Sequence, residues 1–171
     1  MGDEVEAIER FCREVSPRLV GALTLQCGSK EAAEDLAQEA MAKVWERWNE
    51  LRLSENPSGW AYRVAFNLAL SAGRRRAAER RALERMLVDE PDGTDDATRM
   101  ALRDALAELA PRQRAAVVLR FYGQFSVAET AEAMGCATGT VKALTSQGIA
   151  RLRLIIEFTT EGEEAEHGRA F

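Results

Sequence analysis

The chain has 171 residues, of which 46% are hydrophobic and 30% charged, with a formal net charge of −5, three cysteines and one histidine. This is the make-up of a globular protein with one medium core or two small ones, and the dominance of Leu, Ala, Glu and Arg predicts an all-α fold. It excludes a disulfide framework and a zinc centre, because Cys12, Cys27 and Cys136 are odd in number and far apart, and His167 stands in a polar tail.

There is no apolar run of about 18 residues, no signal-peptide pattern, and Glu6 stands where a myristoylation signal needs Ser or Thr. The expectation is a reducing cytoplasm with no membrane insertion. The charge is uneven. Residues 70–86 hold six arginines against two glutamates, and 97–156 hold eight basic groups against four acidic ones. Between them, 87–96 hold five acids and no base. Two positive blocks on an otherwise acidic chain suggest two nucleic-acid surfaces.

Residues 5–26 read as a first helix, with Ile8, Phe11, Cys12, Val15, Leu19, Ala22 and Leu23 at helical spacing. Pro17 either kinks it or marks a boundary. Gly28 then serves as C-cap and Ser29 as N-cap of the next helix. That second helix, 30–48, has Ala33, Leu36, Ala37, Ala40, Met41, Val44 and Trp48 as its apolar stripe. Asp35, Gln38, Glu39 and Glu46 fall on another face, which is either solvated or a docking surface.

Residues 49–58 read as a loop ending in Asn56 and Pro57, a cap followed by proline at the first helical position. The third helix carries Trp60, Val64 and Leu68 in one stripe, with Tyr62 and Phe66 beside it. It then runs into Arg74, Arg75, Arg76, Arg80, Arg81 and Arg85. Aromatic faces followed by dense arginine suit single-stranded nucleic acid, where bases stack and cations meet the backbone. The alternative is a solvated linker helix in which Glu79 and Glu84 pair with part of the run.

DEPDGTDD at 89–96 is the clearest linker. Beyond it, 97–109 is a helix with Met100, Leu102, Ala105, Leu106 and Leu109 as its apolar positions. Pro111 starts another, with Ala115, Val118, Leu119 and Tyr122 inward and Gly123 closing it. Residues 126–155 read as a helix-turn-helix. Val127, Ala131 and Met134 share a face, Gly135 stops the first helix, and Thr138 caps the second. Val141, Leu144, Gly148, Leu152 and Ile155 point inward. Gly139, Ala143, Ser146 and Gln147 point outward, flanked by Thr140, Lys142 and Arg153. Small and polar groups beside cations suit a major groove, although an ordinary helical hairpin has the same outline. The acidic tail, 157–171, is expected to be disordered.

No glycine-rich phosphate loop, metal cluster or nucleophile–base set is present in the sequence. Asp35 and Glu39 are the only carboxylates suggesting a pair, and a solvated or docked face is the stronger reading for them. No catalytic residue, metal or cofactor is expected.

Taken together, these pieces resemble the extracytoplasmic-function (ECF) group of bacterial RNA polymerase sigma factors over about residues 5–156. AAEDLAQEAMAKVWERW at 32–48 is similar to the region that grips core polymerase. NPSGWAYRVAFNLALSAGRRR at 56–76 is similar to the stretch that opens and reads the minus-ten element. LAELAPRQRAAVVLRFYGQFSVAETAEAMGCATGTVKALTSQGIARLR at 106–153 is similar to the domain that reads the minus-thirty-five element.

The resemblance implies two small helical domains: a region-2-like domain over 5–86 and a region-4-like helix-turn-helix domain over 97–156, joined by a flexible acidic linker over 87–96. It implies polymerase contacts at Asp35, Gln38 and Glu39. Minus-ten contacts fall at Asn56, Trp60, Arg63, Asn67, Arg74, Arg75 and Arg76, with the loop 54–58 holding a flipped base. Minus-thirty-five contacts fall at Thr138, Gly139, Thr140, Lys142, Ala143, Ser146 and Gln147. The partners implied are core RNA polymerase, promoter DNA and an anti-sigma factor. Thr145 and Ser146 after Lys142 look closer to the SigE-like actinobacterial branch. Many relatives carry arginine at the positions of Leu144, Gln147 and Ile149, so this recognition helix is poorer in charge. Two rivals stand beside the resemblance. A free-standing helix-turn-helix regulator would need a dimer face to span two half-sites. A helical adaptor would not need Arg74, Arg75 and Arg76.

Overall fold

A computed structural model describes residues 2–83 and 97–167, with side chains over 2–76 and 100–157. The described regular structure is helical throughout: α1 (Gly2–Cys27), α2 (Lys30–Glu46), α3 (Trp48–Leu51), α4 (Pro57–Leu83), α5 (Ala97–Ala107), α6 (Pro111–Val117), α7 (Val127–Met134) and α8 (Thr138–His167). The expected acidic linker over 87–96 and the end of the first domain at 84–86 lie outside the described residues.

α1 runs through Pro17 without a break, so the boundary reading of that proline fails. A proline inside a helix costs about 3 kcal/mol. Leu19, Ala22 and Leu23 just beyond it are fully buried, and that packing holds the helix together. Gly28 ends α1 at φ +78°, with its N–H on the Thr24 carbonyl at 2.9 Å. Ser29 caps α2, its Oγ accepting the Ala32 N–H at 3.2 Å.

α2 stops at Glu46, two residues short of the expected end, and the expected loop begins with the helical turn α3. Leu51 is the reason. It is buried with Val44 and Ala61, and Phe11, Trp48 and Trp60 pack around that small cluster. The Phe11 and Trp48 rings sit 5.2 Å apart. Asn56 starts α4 as expected, its Oδ1 accepting the Gly59 N–H at 2.7 Å.

The buried side of α4 is not the expected Trp60–Val64–Leu68 stripe, which is only half-buried. It is Ala61, Tyr62, Ala65, Phe66, Ala69 and Leu70. Alanine every fourth residue lets α4 lie close against α1 and α2, and the larger neighbours fill the gaps beside it.

In the second half, Ala105, Leu106 and Leu109 are buried as expected, whereas Met100 and Leu102 are exposed. α6 widens into a π-helical turn, Val118–Tyr122, closed by the Gly123 N–H on the Val118 carbonyl at 2.9 Å. The extra residue in that turn shifts the helical phase. Ala116 and Val117, ahead of the turn, are buried as well, and Tyr122, expected inward, is exposed.

α7 begins with a capping box. Ser126 Oγ accepts the Glu129 N–H, and the Glu129 carboxylate accepts the Ser126 N–H. Gly135 takes the left-handed conformation at φ +59°. α8 begins at Thr138 itself, with the Val141 N–H on the Ala137 carbonyl, so Thr138 stands inside the helix and not before it as a cap. α8 continues to His167, where disorder was expected from 157 onward. No proline interrupts that stretch, and extending an established helix costs far less than starting one.

The two halves share one core. Leu19, Leu23 and Phe66 from the first half belong to the same buried cluster as Val118, Leu119 and Met134 from the second.

Candidate nucleic-acid interface

Most of the residues singled out from sequence lie on exposed faces of α2, α4 and α8. On α2, packing of Ala33, Ala37, Ala40 and Val44 against the core turns Asp35, Gln38 and Glu39 to solvent. Glu39 pairs loosely with Lys43 at 3.7 Å. The same face carries Ala42, Glu46 and Trp45, and the Trp45 side chain is 51% exposed. Trp45 was missed in the sequence reading. Its step of seven from Gln38, on an acidic face, was the available signal.

On α4, burial of the alanine side leaves Trp60 half-buried and Arg63, Asn67, Arg74, Arg75 and Arg76 exposed. Trp60, Arg63, Asn67 and Arg74 recur every three, four and seven residues and so share one stripe. The Arg47 guanidinium lies 5.7 Å from the Trp60 ring, and Arg74 donates to the Ser71 hydroxyl at 2.9 Å. Arg75 and Arg76 are turned away from that stripe. They line a cleft with Asp35, Cys27, Pro111 and Arg114. The three consecutive arginines therefore serve more than one surface.

At the start of α4, the Asn56 side chain is engaged as the cap, and the Ser54 hydroxyl donates to the Leu51 carbonyl at 2.7 Å. Leu53 at the tip of this loop is 77% exposed. Tyr62 lies under the helix, and burial pushes its hydroxyl up to about 12, so it stays protonated.

On α8, Val141 and Gly148 are buried and Leu144, Leu152 and Ile155 half-buried, which is the expected inner side. Thr138, Gly139, Thr140, Lys142, Ala143, Ser146 and Gln147 are all exposed. The Gln147 Oε1 accepts from the Gln113 Nε2 at 3.2 Å, tying the recognition face to α6. Lys142, Ser146 and Arg153 line a groove with Arg120. Arg120 comes from the π-helical turn and is anchored by a hydrogen bond to the Phe125 carbonyl. Nothing in the sequence reading tied Arg120 to this face, because the phase shift of that turn is not visible in residue spacing.

Among the described residues, no group of His, Cys, Asp or Glu could hold a metal ion, and no helix is long and apolar enough to cross a membrane.

Known proteins match both halves of the chain. The family model for sigma-70 region 2 matches residues 11–79, and that for sigma-70 region 4 matches 99–152. The RNA polymerase sigma-E factor of Streptomyces coelicolor is 35% identical over 158 residues, covering 90% of this chain and 87% of that protein. The ECF RNA polymerase sigma factor SigM of Mycobacterium tuberculosis is 30% identical over 157 residues, covering 91% and 80%. Among solved structures, the sigma factor RpoE of Bartonella quintana, in complex with the anti-sigma factor NepR, matches with a TM-score of 0.76. That match has 24% identity and covers 89% of this chain and 98% of that one, and it speaks to the fold. The chain belongs to the ECF family of RNA polymerase sigma factors.

Proposed function

We propose that this protein binds core RNA polymerase and directs it to a specific class of promoters, with no catalytic step of its own. One observation carries the assignment of roles. Asp35, Gln38, Glu39, Arg63, Asn67, Arg74 and the outward residues of α8 are all exposed, on three faces that follow each other in the family's chain order. In this reading the α2 face docks on polymerase, with Trp45 as an apolar anchor among the acids. The α4 stripe holds the melted minus-ten strand, where Trp60 stacks, Asn67 reaches bases and Arg63 and Arg74 meet phosphates. The loop 54–58 receives a flipped base, at a cost of a few kcal/mol that stacking offsets. The exposed side of α8 reads the minus-thirty-five duplex, with Lys142 at the backbone and Ser146 and Gln147 at base edges. The functional units are 5–86 and 97–156, and the protein works in the cytoplasm, where core polymerase is.

An anti-sigma factor is a further proposed partner, by likeness to the Bartonella quintana sigma factor. A free-standing regulator is disfavoured, because the relatives match α1 to α4 as well as the helix-turn-helix.

The test is gel filtration of the full chain with bacterial core polymerase, followed by transcription from a genomic library. Co-elution and discrete new start sites are expected. Asp35→Ala with Glu39→Ala should abolish co-elution while the helical circular dichroism signal stays intact. Undiminished co-elution of that variant would overturn the docking assignment.

A further inference from the structure

Arg75 and Arg76 have no part in the α4 stripe, and the roles assigned above leave them over. Both line the cleft of about 530 Å³ that the end of α1 forms with α2, α4 and α6. That volume falls within the range of about 300–1,000 Å³ that holds small molecules. Three guanidiniums line the cleft, those of Arg75, Arg76 and Arg114, against one carboxylate, Asp35. The Arg114 guanidinium donates to the Gln26, Leu106, Ala107 and Leu109 carbonyls at 2.8, 2.7, 2.7 and 3.2 Å, which fixes it without neutralising it. Burial accordingly draws its pKa down. Burial also pushes the Cys27 thiol up, against the pull of Arg76 and Arg114, so the thiol beside these cations carries no charge. The chain as a whole is at −5. The cleft is therefore a positive recess in an acidic molecule, and its walls concentrate that field on a small anion.

Charge is one of three features that the cleft combines. The second is an acceptor without a donor. Gln26 is 5% exposed, and its Nε2 donates to the Pro111 carbonyl at 3.2 Å, which leaves Oε1 with no partner at the cleft wall. A buried acceptor in that state is costly until a donor meets it. The third is a low apolar wall of Leu36, Ala69 and Ala72 beside Gly73, where a Cβ would meet nothing within 4 Å. A nucleotide presents the complement of all three. It brings phosphates for the arginine forks, N–H and O–H donors for Gln26 and Asp35, and a flat ring for the apolar wall.

We propose that this cleft is a binding site for a nucleoside phosphate, with the phosphates on Arg75 and Arg76. A strand of promoter DNA offers the same phosphate chemistry, but a recess walled by α1, α2, α4 and α6 takes a single nucleotide more readily than a strand that must pass through it. The site has a regulatory consequence, and that part alone rests on the sigma-factor reading. Asp35 belongs both to the cleft and to the proposed polymerase face. A bound nucleotide and polymerase therefore compete for the same carboxylate.

Titration calorimetry of the full chain at low salt tests the site. The probes are adenosine and guanosine 5′-diphosphate, with adenosine and inorganic pyrophosphate as the separate halves. One nucleotide is expected per chain, bound about tenfold more tightly than either half. Arg75→Ala with Arg76→Ala should abolish binding. Gly73→Leu should abolish it with both arginines in place, because the new side chain fills the recess. The arginine variant alters exposed residues only, which keeps the test decisive if Gly73→Leu loses its circular dichroism signal. No binding of either nucleotide by wild type, pyrophosphate bound as tightly as the nucleotides, or folded variants that still bind would each overturn the site. A single-stranded oligonucleotide that binds more tightly than the nucleotides, and is lost in the same variants, would give the cleft to the promoter strand and overturn it too. In stopped-flow mixing with core polymerase, the tighter nucleotide should slow association of wild type several-fold and leave Gly73→Leu unaffected. Nucleotide binding without that effect overturns the competition. No association by wild type in the absence of nucleotide would instead overturn the sigma-factor reading, with calorimetry still deciding the site.

Discussion

The α4 and α8 faces are proposed to meet the same polymer, yet they are built differently. α4 offers a half-buried tryptophan and a stripe of Arg63, Asn67 and Arg74. α8 offers Gly139 and Ala143 at the centre of its exposed side and keeps its cations, Lys142 and Arg153, at the margin with Arg120. In the proposed reading, the difference follows from the state of the nucleic acid. A melted strand presents base faces and a pliable backbone, so flat rings and dense charge hold it. A duplex presents base edges at the floor of a groove, so small side chains bring the helix close while cations wait for the phosphates on either side. In the same proposed reading, a helix without arginine at 144, 147 and 149 reads by close approach, with Arg120 adding charge from another element.

The largest effect expected from this contrast is on melting. Arg63→Ala with Arg74→Ala removes two proposed phosphate contacts and should lower open-complex formation by about 100-fold while leaving upstream duplex binding unchanged. Equal losses in both steps would erase the distinction between the faces.

Two glycines of α8 sharpen it next. A Cβ at Gly148 would stand 2.7 Å from the Val117 Cγ2, whereas one at Gly139 would meet nothing within 4 Å. Gly148→Ala should therefore cost about 1–3 kcal/mol, read from the denaturant midpoint. Gly139→Ala should leave stability equal or slightly higher and weaken upstream binding alone. If Gly139→Ala bound duplex as well as wild type, close approach at that position would be the wrong reading.

Smaller effects separate the helix-turn-helix scaffold from its reading face. Ser126→Ala removes the cap of α7 and should cost about 1 kcal/mol, with base preference at the minus-thirty-five element unaltered.

The smallest effect is in the acid limb of stability. Hydrogen bonds from the Ser126 hydroxyl and backbone hold the Glu129 carboxyl below its usual range. A carboxyl lowered in the folded state adds stability that is complete above its unfolded value of about 4.3 and is lost as pH falls through the folded value. Stability measured from pH 6 down to pH 3 should fall less steeply in Glu129→Ala than in wild type. Parallel slopes would remove Glu129 from the acid response.

Local chemistry was legible wherever a short stretch decides its own shape. Gly28 and Ser29 punctuate α1 and α2 as expected, Asn56 with Pro57 starts α4, and Gly135 turns the helix-turn-helix with φ positive. These are backbone events set by one or two side chains. The exposed faces of α2 and α8 were legible for a similar reason, since helical spacing separates their polar residues from the apolar ones. The Ser126–Glu129 box was present in the sequence as S-x-x-E and went unread.

Depth was not legible. Trp60, Val64 and Leu68 look like a core stripe because they are large and apolar, yet Ala61, Ala65 and Ala69 are buried deeper. Burial depends on how closely two helices can approach, and small residues decide that only once the partner helix is in place.

By itself, the sequence determined the helices, their main stops, the family and the order of the three exposed faces, because each rests on local periodicity, capping or motif. Only the tertiary structure decided that α1 passes through Pro17 and that the π-helical turn carries Arg120 to the α8 groove. It alone joined the two halves over a single core with Arg114 on the end of α1. Those outcomes depend on contacts between residues dozens of positions apart, whose energy appears only when the chain has folded back on itself.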